Sequence, residues 1–379
     1  MTISNRIEKS KNREVDILAT HSFHSLAVAS VEATTRESVA ITFAVPESLQ
    51  KKFEYIQGQY LTLRATIDGQ EERRSYSICS AVQDKRLRVA IKKIAGGVFS
   101  NWAAGHLLPG TTVDVMPPQG HFYVPLAPET GRHIMAFAAG SGITPMLSII
   151  KTMLLAEPLT RVTLVYGNRS SSSVMFKEEL EDLKDRFLCR LNLVWVMSRE
   201  TQDIELFNGR IDYEKTSALL TRWVDPASID AAFICGPMEM MQAVTQALQE
   251  KGVDKSRIKS ELFGTPSAAK PRAIQVLDAS DELCEVEVVL DGSRRRFSMP
   301  KNGISVVDAG LKAGIDMPYS CKGGVCSTCR AQVLSGEVDM DNNFALEDYE
   351  LARGFVLCCQ SFPVSNKLVI DFDQEHSHA

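Results

Sequence analysis

The chain has 379 residues, 44% hydrophobic and 23% charged, with 42 Lys and Arg against 47 Asp and Glu for a net charge of −5. That length predicts roughly two or three domains, and the acid excess argues against a general nucleic-acid binder, whose footprint is basic. The longest uncharged stretch, residues 134–150, holds Gly140, Gly142 and Pro145, so it does not read as a membrane span, and the polar residues 1–16 lack a signal-peptide core; the expectation is a cytoplasmic protein.

Residues 1–20 read as a charged, flexible tail. Over residues 21–128, short β-rich runs at 40–45, 60–63 and 87–91 are separated by turn signals at Asp68-Gly69, Pro109-Gly110 and Pro117-Pro118. With no long helical pattern competing, this third predicts an antiparallel β-barrel. Over residues 129–264 the pattern switches. Short apolar runs at 134–138, 162–166, 191–197 and 231–235 alternate with helical spacings such as Phe176, Leu180, Leu183 and Phe187. That alternation predicts an α/β domain with a parallel sheet. Residues 265–280 read as a linker. Residues 281–379 predict a mixed α+β domain, with alternation at 285–290 running into the hairpin signal Asp291-Gly292 and a helix near 306–313. Arg294-Arg295-Arg296 reads as a solvated strand edge, and the terminal His376 and His378 are too few to argue for a metal.

Nine cysteines is an odd count, which argues against a disulfide framework in a cytoplasmic chain. Cys79, Cys189, Cys235 and Cys284 are scattered, whereas Cys321, Cys326, Cys329, Cys358 and Cys359 crowd together. The first three of that group have the spacing C-x4-C-x2-C, and Cys359 follows after 29 residues, the pattern of plant-type 2Fe–2S ligation. Four thiolates suit the task because each of two irons needs two soft anionic ligands besides the bridging sulfides. Zinc ligation would expect two C-x2-C knuckles at shorter separation. Cys358 would give 28 residues in place of 29, and neighbouring side chains on an extended segment point to opposite sides, so the spacing selects Cys359. Gly323 and Gly324 would let the backbone wrap the sulfurs closely.

Gly140-Ser141-Gly142-Ile143-Thr144-Pro145 sits between a buried strand and a helix, with Thr144 as the expected N-cap and Pro145 as the first helical residue. Such a turn offers N–H groups and positive dipole to a pyrophosphate. The third glycine of the usual dinucleotide fingerprint is missing, and a plain strand-to-helix turn is the competing reading.

Residues 318–329, with Leu357-Cys358-Cys359-Gln360-Ser361, closely resemble the plant-type ferredoxin domain, which implies a β-grasp fold for the third domain. The motifs Arg74-Ser75-Tyr76-Ser77, Gly97-Val98-Phe99-Ser100, the Gly140–Pro145 turn and Cys235-Gly236-Pro237 together resemble the ferredoxin–NADP reductase superfamily over about residues 23–264. The resemblance implies FAD on the barrel and a nicotinamide nucleotide on the α/β domain. It assigns Arg74 to a flavin phosphate, Ser75 and Tyr76 to the flavin, Ser77 to its reactive ring nitrogen, and Gly97, Val98 and Ser100 to its pyrophosphate. Gly140, Gly142, Thr144 and Pro145 would hold the nucleotide, with Cys235, Gly236 and Pro237 beside the nicotinamide. Ser77 and Cys235 are the expected catalytic residues. Ser198-Arg199, in the position where the superfamily holds a 2′-phosphate, implies NADPH rather than NADH, although Glu200 follows directly and a solvated turn is the alternative.

The order FAD barrel, nucleotide domain and ferredoxin domain resembles the reductases that feed multicomponent oxygenases. Residues 344–354 add a likeness to the family serving phenylacetyl-CoA epoxidation, which implies a di-iron oxygenase partner outside this chain. A reductase for a steroid-ring hydroxylase is the alternative, and a redox sensor a remote one. Glu337, Asp339, Asp341, Glu347, Asp348 and Glu350, with no Lys or Arg between the first and last, read as a possible steering surface for the partner or as a solvated loop.

Overall fold

Apolar alternation on the strands of the first domain leads to closure of a barrel in the computed structural model, which describes residues 21–264, 283–301 and 303–374. The expected tail at 1–20, the linker at 265–280 and the terminal histidines lie outside the described residues. Strands β1 (His24–Thr35), β2 (Ser38–Ala44), β3 (Tyr60–Ile67), β4 (Gln70–Ser77), β5 (Leu87–Lys92) and β6 (Thr112–Val115) form one sheet in the order β4-β3-β6-β1-β2-β5, every pairing antiparallel. A bridge between Ile78 and Val89 joins its two edges and closes the barrel. Leu26, Ile41, Leu61, Leu63, Val89 and Val113 point inward as period-2 positions. Helix α1 (Val98–His106) plugs one end with Phe99 and Ala103. It has nine residues and only two deeply buried apolar positions one turn apart, which is why no helical pattern stands out against the strands.

In the second domain β7 (His133–Ala139), β8 (Arg161–Asn168), β9 (Leu191–Met197), β10 (Ala231–Gly236) and β11 (Ile258–Leu262) form a fully parallel sheet in the order β11-β10-β7-β8-β9. Central β7 is apolar on both faces because both are covered. Ile134, Ala136 and Ala138 pack with helices α2 (Ile143–Ala156) and α3 (Lys177–Arg186). Met135 and Phe137 pack with α4 (Tyr213–Arg222) and α5 (Met238–Glu250). The strand order reverses between β7 and β10, where ligands bind in open α/β sheets. Helix α2 begins earlier than expected: Gly142 is the N-cap, and Thr144 lies inside the first turn with its hydroxyl donating to the Ser141 carbonyl at 3.0 Å.

The third domain contains β12 (Leu283–Leu290), β13 (Ser293–Pro300), α6 (Val306–Lys312), β14 (Arg330–Ser335), β15 (Val338–Met340), α7 (Asp348–Ala352), β16 (Phe355–Leu357), β17 (Ser361–Pro363) and β18 (Lys367–Asp371). Its mixed sheet has the order β13-β12-β18-β14-β16, and α6 packs Val306, Val307 and Ala309 into the core. Edge strand β13 presents Arg294 and Arg296 to Glu287 on β12. Among the described residues no helix is long and apolar enough to cross a membrane.

Candidate functional site

Three domains meet around one cleft of about 960 Å³, within the range of small-molecule sites. The end of β4 brings Arg74, Ser75, Tyr76 and Ser77 to its wall, and the start of α1 brings Gly97, Val98 and Ser100. Thr144 contributes from α2, and Cys321 and Cys326 close it from the third domain. Motifs far apart in the sequence therefore face a common space. Arg74 is half-exposed at the rim, where its Nη1 pairs with Glu72 at 2.8 Å and donates to the Arg73 carbonyl at 2.7 Å. Tyr76 packs its ring 5.8 Å from Phe99. The Ser77 hydroxyl donates to Glu261 Oε2 at 3.2 Å.

Glu261, on β11, escapes sequence reasoning, which has no motif to attach to a single acid in a short strand. It lines the cleft, and burial pushes its carboxyl up to about 8 while the Ser77 bond pulls the other way. Cys235 is fully buried nearby; burial first and Glu261 second push its thiol well up, so it is a neutral thiol at physiological pH.

The glycine turn meets β10 backbone to backbone. A Cβ on Gly142 would stand 2.1 Å from the Cys235 carbonyl oxygen, so only glycine lets the two motifs touch. Gly140 is glycine for a different reason, its φ of +55°. Pro145 is buried in the first turn of α2, and Gly236 and Pro237 lead from β10 into α5. Ser198 and Arg199 do not line the cleft. They follow β9, with their N–H groups bonded to the Asn168 and Arg169 carbonyls at 2.9 and 2.8 Å. The adjacent Glu200 accepts from the Ser171 N–H at 2.7 Å and hydroxyl at 2.6 Å.

Four cysteine sulfurs converge beside the cleft. Cys326 Sγ lies 3.2 Å from Cys321 Sγ, and the Cys359 N–H points at Cys329 Sγ at 3.5 Å. Hydrogen bonds from the Cys326 and Cys359 thiols hold Cys321 far below the ordinary thiol range, and the same bonds push those two donors up. The loop wraps through left-handed Lys322 (φ +49°) and Gly324 (φ +75°), where a Cβ would meet the Asn342 carbonyl oxygen at 2.6 Å. The Gly323 N–H donates to Cys321 Sγ at 3.4 Å. A soft donor set of four sulfurs with N–H groups aimed at it fits a 2Fe–2S cluster. Cys358 and Cys359 lie in a single 3-10 turn rather than on the extended strand expected, because β16 ends at Leu357. Cys358 is fully buried in the domain core.

Three acids of the segment form ion pairs within the chain. Glu347 pairs with Lys259 at 2.8 Å, Asp348 with Lys255 at 2.5 Å, and buried Glu350 with Arg330 at 2.7 Å. Glu337, Asp339 and Asp341 are exposed.

Residues 25–123 match the oxidoreductase FAD-binding domain, 137–246 the oxidoreductase NAD-binding domain and 288–364 the 2Fe-2S iron-sulfur cluster binding domain. The chain is 47% identical to one of the subunits of the 1,2-phenylacetyl-CoA epoxidase of Escherichia coli, over 93% of this chain and 98% of that protein. It is 37% identical to the ferredoxin reductase component of the Rhodococcus rhodochrous 3-ketosteroid-9-alpha-monooxygenase, over 92% and 96% respectively. Phthalate dioxygenase reductase shares the fold, with a TM-score of 0.54 and 23% identity over 92% of this chain and 98% of that one. An intact type IV self-sufficient cytochrome P450 monooxygenase aligns with a TM-score of 0.65 and 21% identity over 92% of this chain, which spans 41% of that longer protein.

Proposed function

Because the chain belongs to the ferredoxin–NADP reductase superfamily, among the FAD- and 2Fe–2S-containing reductase components of multicomponent oxygenases, we propose that it carries electrons from NADPH to a di-iron oxygenase of phenylacetyl-CoA epoxidation. The observation that carries this reading is the shared cleft, in which Tyr76 and Ser77 face Cys321 and Cys326. FAD, when bound, supplies the conversion of a two-electron hydride into single electrons, which iron centres accept one at a time.

The chain's own residues divide the work. Arg74 offers a charge-assisted contact to a flavin phosphate, and Gly97, Val98 and Ser100 offer backbone and hydroxyl donors to the pyrophosphate. Tyr76 presents a flat face, and the Ser77 hydroxyl, backed by Glu261, holds a proton beside the reacting ring. Gly140, Gly142, Thr144 and Pro145 bind the nucleotide phosphates at the start of α2. Buried, neutral Cys235 packs beside the nicotinamide and excludes water, with Gly236 and Pro237 shaping that end. Arg199, with Ser198, meets the 2′-phosphate that distinguishes NADPH, while Ser171 draws the Glu200 carboxylate aside. Cys321, Cys326, Cys329 and Cys359 hold the cluster. Free cysteines throughout the described residues suit a reducing cytoplasm.

Rapid-mixing spectroscopy tests the reading. NADPH should bleach the flavin and then the cluster, and the reduced protein should support turnover of a purified phenylacetyl-CoA epoxidase oxygenase. Turnover with a steroid-ring hydroxylase instead would favour the second relative's role. Failure to reduce any acceptor would leave only a sensor.

A further inference from the structure

The outer face of the β3–β4 hairpin is polar in sequence yet buried in the structure. Strand pairing sets Thr62 opposite Ser75 and Arg64 opposite Arg73, with Tyr60 two residues before Thr62 on the same face. On a lone barrel these side chains would be solvated. Here Tyr60, Thr62 and Arg73 are only 4%, 1% and 3% exposed. What covers them is the segment of the third domain that carries the first cysteines. The Tyr60 hydroxyl lies 3.1 Å from both Ser327 Oγ and Thr328 Oγ1, and Thr62 Oγ1 lies 3.3 Å from Thr328 Oγ1. Ser75 donates to Ser320 Oγ at 2.9 Å. Ser320 directly precedes Cys321, and Ser327 and Thr328 are the two residues between Cys326 and Cys329.

Arg73 anchors the end of this seam. Its Nη2 donates to Asp316 Oδ1 at 2.7 Å, its Nη1 to the Met317 carbonyl at 3.2 Å and its Nε to Glu71 Oε1 at 2.8 Å. The guanidinium lies 4.2 Å from the centre of the Tyr319 ring, whose hydroxyl donates to Glu71 at 3.2 Å. A buried guanidinium is costly unless all its nitrogens are paired. Two of the three pairings come from the third domain, so they form, and the guanidinium is buried, only when that domain is seated.

We propose that Arg73, through Asp316 and with the hydroxyl seam of Tyr60, Thr62 and Ser75, is a positioning residue that seats the cysteine loop over the flavin-binding cleft and so sets the rate of transfer from flavin to cluster. The proposal rests on the reductase reading above. Each transfer removes one electron from the reduced flavin and converts one cluster iron from ferric to ferrous; the hydride of the nicotinamide supplies the pair, and no bond of the protein changes. The seam is hydroxyls and one guanidinium held by carboxylates, so it fixes the orientation of the loop.

The test uses the full chain carrying FAD and cluster. Asp316 is 64% exposed and does not line the cleft, so Asp316→Lys sets a positive charge against Arg73 and Arg64 from outside the cleft. Stopped-flow absorbance should show flavin-to-cluster transfer slowed at least tenfold. Ferricyanide reduction by NADPH at the flavin should be unchanged, and the cluster's visible spectrum should be retained. Small-angle scattering on the same loaded chain should show a larger radius of gyration. A native transfer rate with a native radius of gyration overturns the proposal. Should Asp316→Lys misfold, Tyr60→Phe keeps the ring and removes only the hydroxyl, and Asp316→Asn removes only the charge. Each should slow transfer at least threefold, and native rates in both would also overturn it. Failure of the unmutated protein to reduce its flavin would count against the reductase reading, while the scattering result would still judge the docking.

Discussion

Replacing Gly142 with alanine should damage the protein more than replacing Gly140, although both glycines belong to one turn. The backbone at Gly142 is ordinary, with φ −60° and ψ −8°, so alanine meets no conformational penalty there. The added Cβ, however, would lie 2.1 Å from the Cys235 carbonyl oxygen and 2.7 Å from its carbon. Both obstacles are main chain in a central strand, so α2 and β10 must separate by roughly 1 Å to restore van der Waals contact. Overpacking of this kind costs about 1–3 kcal/mol, and the rigid position puts Gly142→Ala near the top of that range. At about 2–4 °C per kcal/mol for a domain of this size, melting should fall by roughly 6–12 °C. If the turn holds the nucleotide phosphates as proposed, the same displacement would move its N–H groups off them. Losing one charge-assisted bond of about 1.5–3 kcal/mol raises the NADPH KM on the order of tenfold to a hundredfold. Gly140→Ala instead places an L-residue at φ +55°, costing about 1–2 kcal/mol, with only Lys92 Nζ nearby at 3.9 Å. Thermal melts and steady-state dye reduction of the FAD-loaded variants measure both effects. Equal melting temperatures, or a native NADPH KM in Gly142→Ala, would refute the close-contact argument.

Four further outcomes follow from the same geometry. Cys359→Ala should abolish the 2Fe–2S absorption while NADPH-dependent dye reduction survives, and Cys358→Ala should keep the cluster; the reverse result would move the last ligand by one residue. Arg199→Ala should raise the NADPH KM about tenfold or more and barely alter that for NADH, through loss of one charge-assisted phosphate contact; an unchanged ratio of the two KM values would make Ser198-Arg199 a turn only. The Glu261 carboxyl, raised from 4.5 to about 8, binds an extra proton in the folded chain between those values. Its stabilising contribution is therefore complete below about pH 4.5 and is lost as pH rises through 8, at up to about 1.4 kcal/mol per pH unit. Denaturation of the flavin-free chain from pH 5 to 8 should show that slope flattened in Glu261→Gln, and an unchanged slope would count against it. Finally, rising salt should slow delivery to the oxygenase more than dye reduction, because Glu337, Asp339 and Asp341 remain exposed on the cluster domain; equal sensitivity of the two assays would exclude steering by charge.

The parts of the molecule legible in the sequence are those whose signal is local. The run over residues 191–197 coincides with β9, and the apolar run at 134–138 reads as doubly covered because both faces of β7 carry hydrophobes. The cysteine spacing is legible because ligands to one cluster must sit at fixed loop distances. Helix α4 is not, since its buried face consists of Thr216, Leu219 and Leu220 among polar neighbours, and its clearest mark is the Asp212 cap on the Lys215 N–H. Thr144 reads as an N-cap from composition alone, but the helix starts at Ile143 behind a Gly142 cap. Glu261, Tyr60 and Arg73 carry no local signal because their burial depends on other domains. Arg73 and Asp316 lie 243 residues apart, and no periodicity within either segment records that pairing.

On the proposed reading, electrons pass from NADPH through the flavin and the cysteine-bound cluster to an oxygenase that acts on phenylacetyl-CoA. The most direct measurement is NADPH-driven epoxide formation by a purified phenylacetyl-CoA epoxidase oxygenase, supplied with either the native chain or Cys359→Ala at matched dye-reductase activity. Epoxide formation should be sustained with the native chain and should not exceed background with the variant. Equal epoxide formation with both would show that electrons bypass the cluster, and none with the native chain would show that this oxygenase is not its partner.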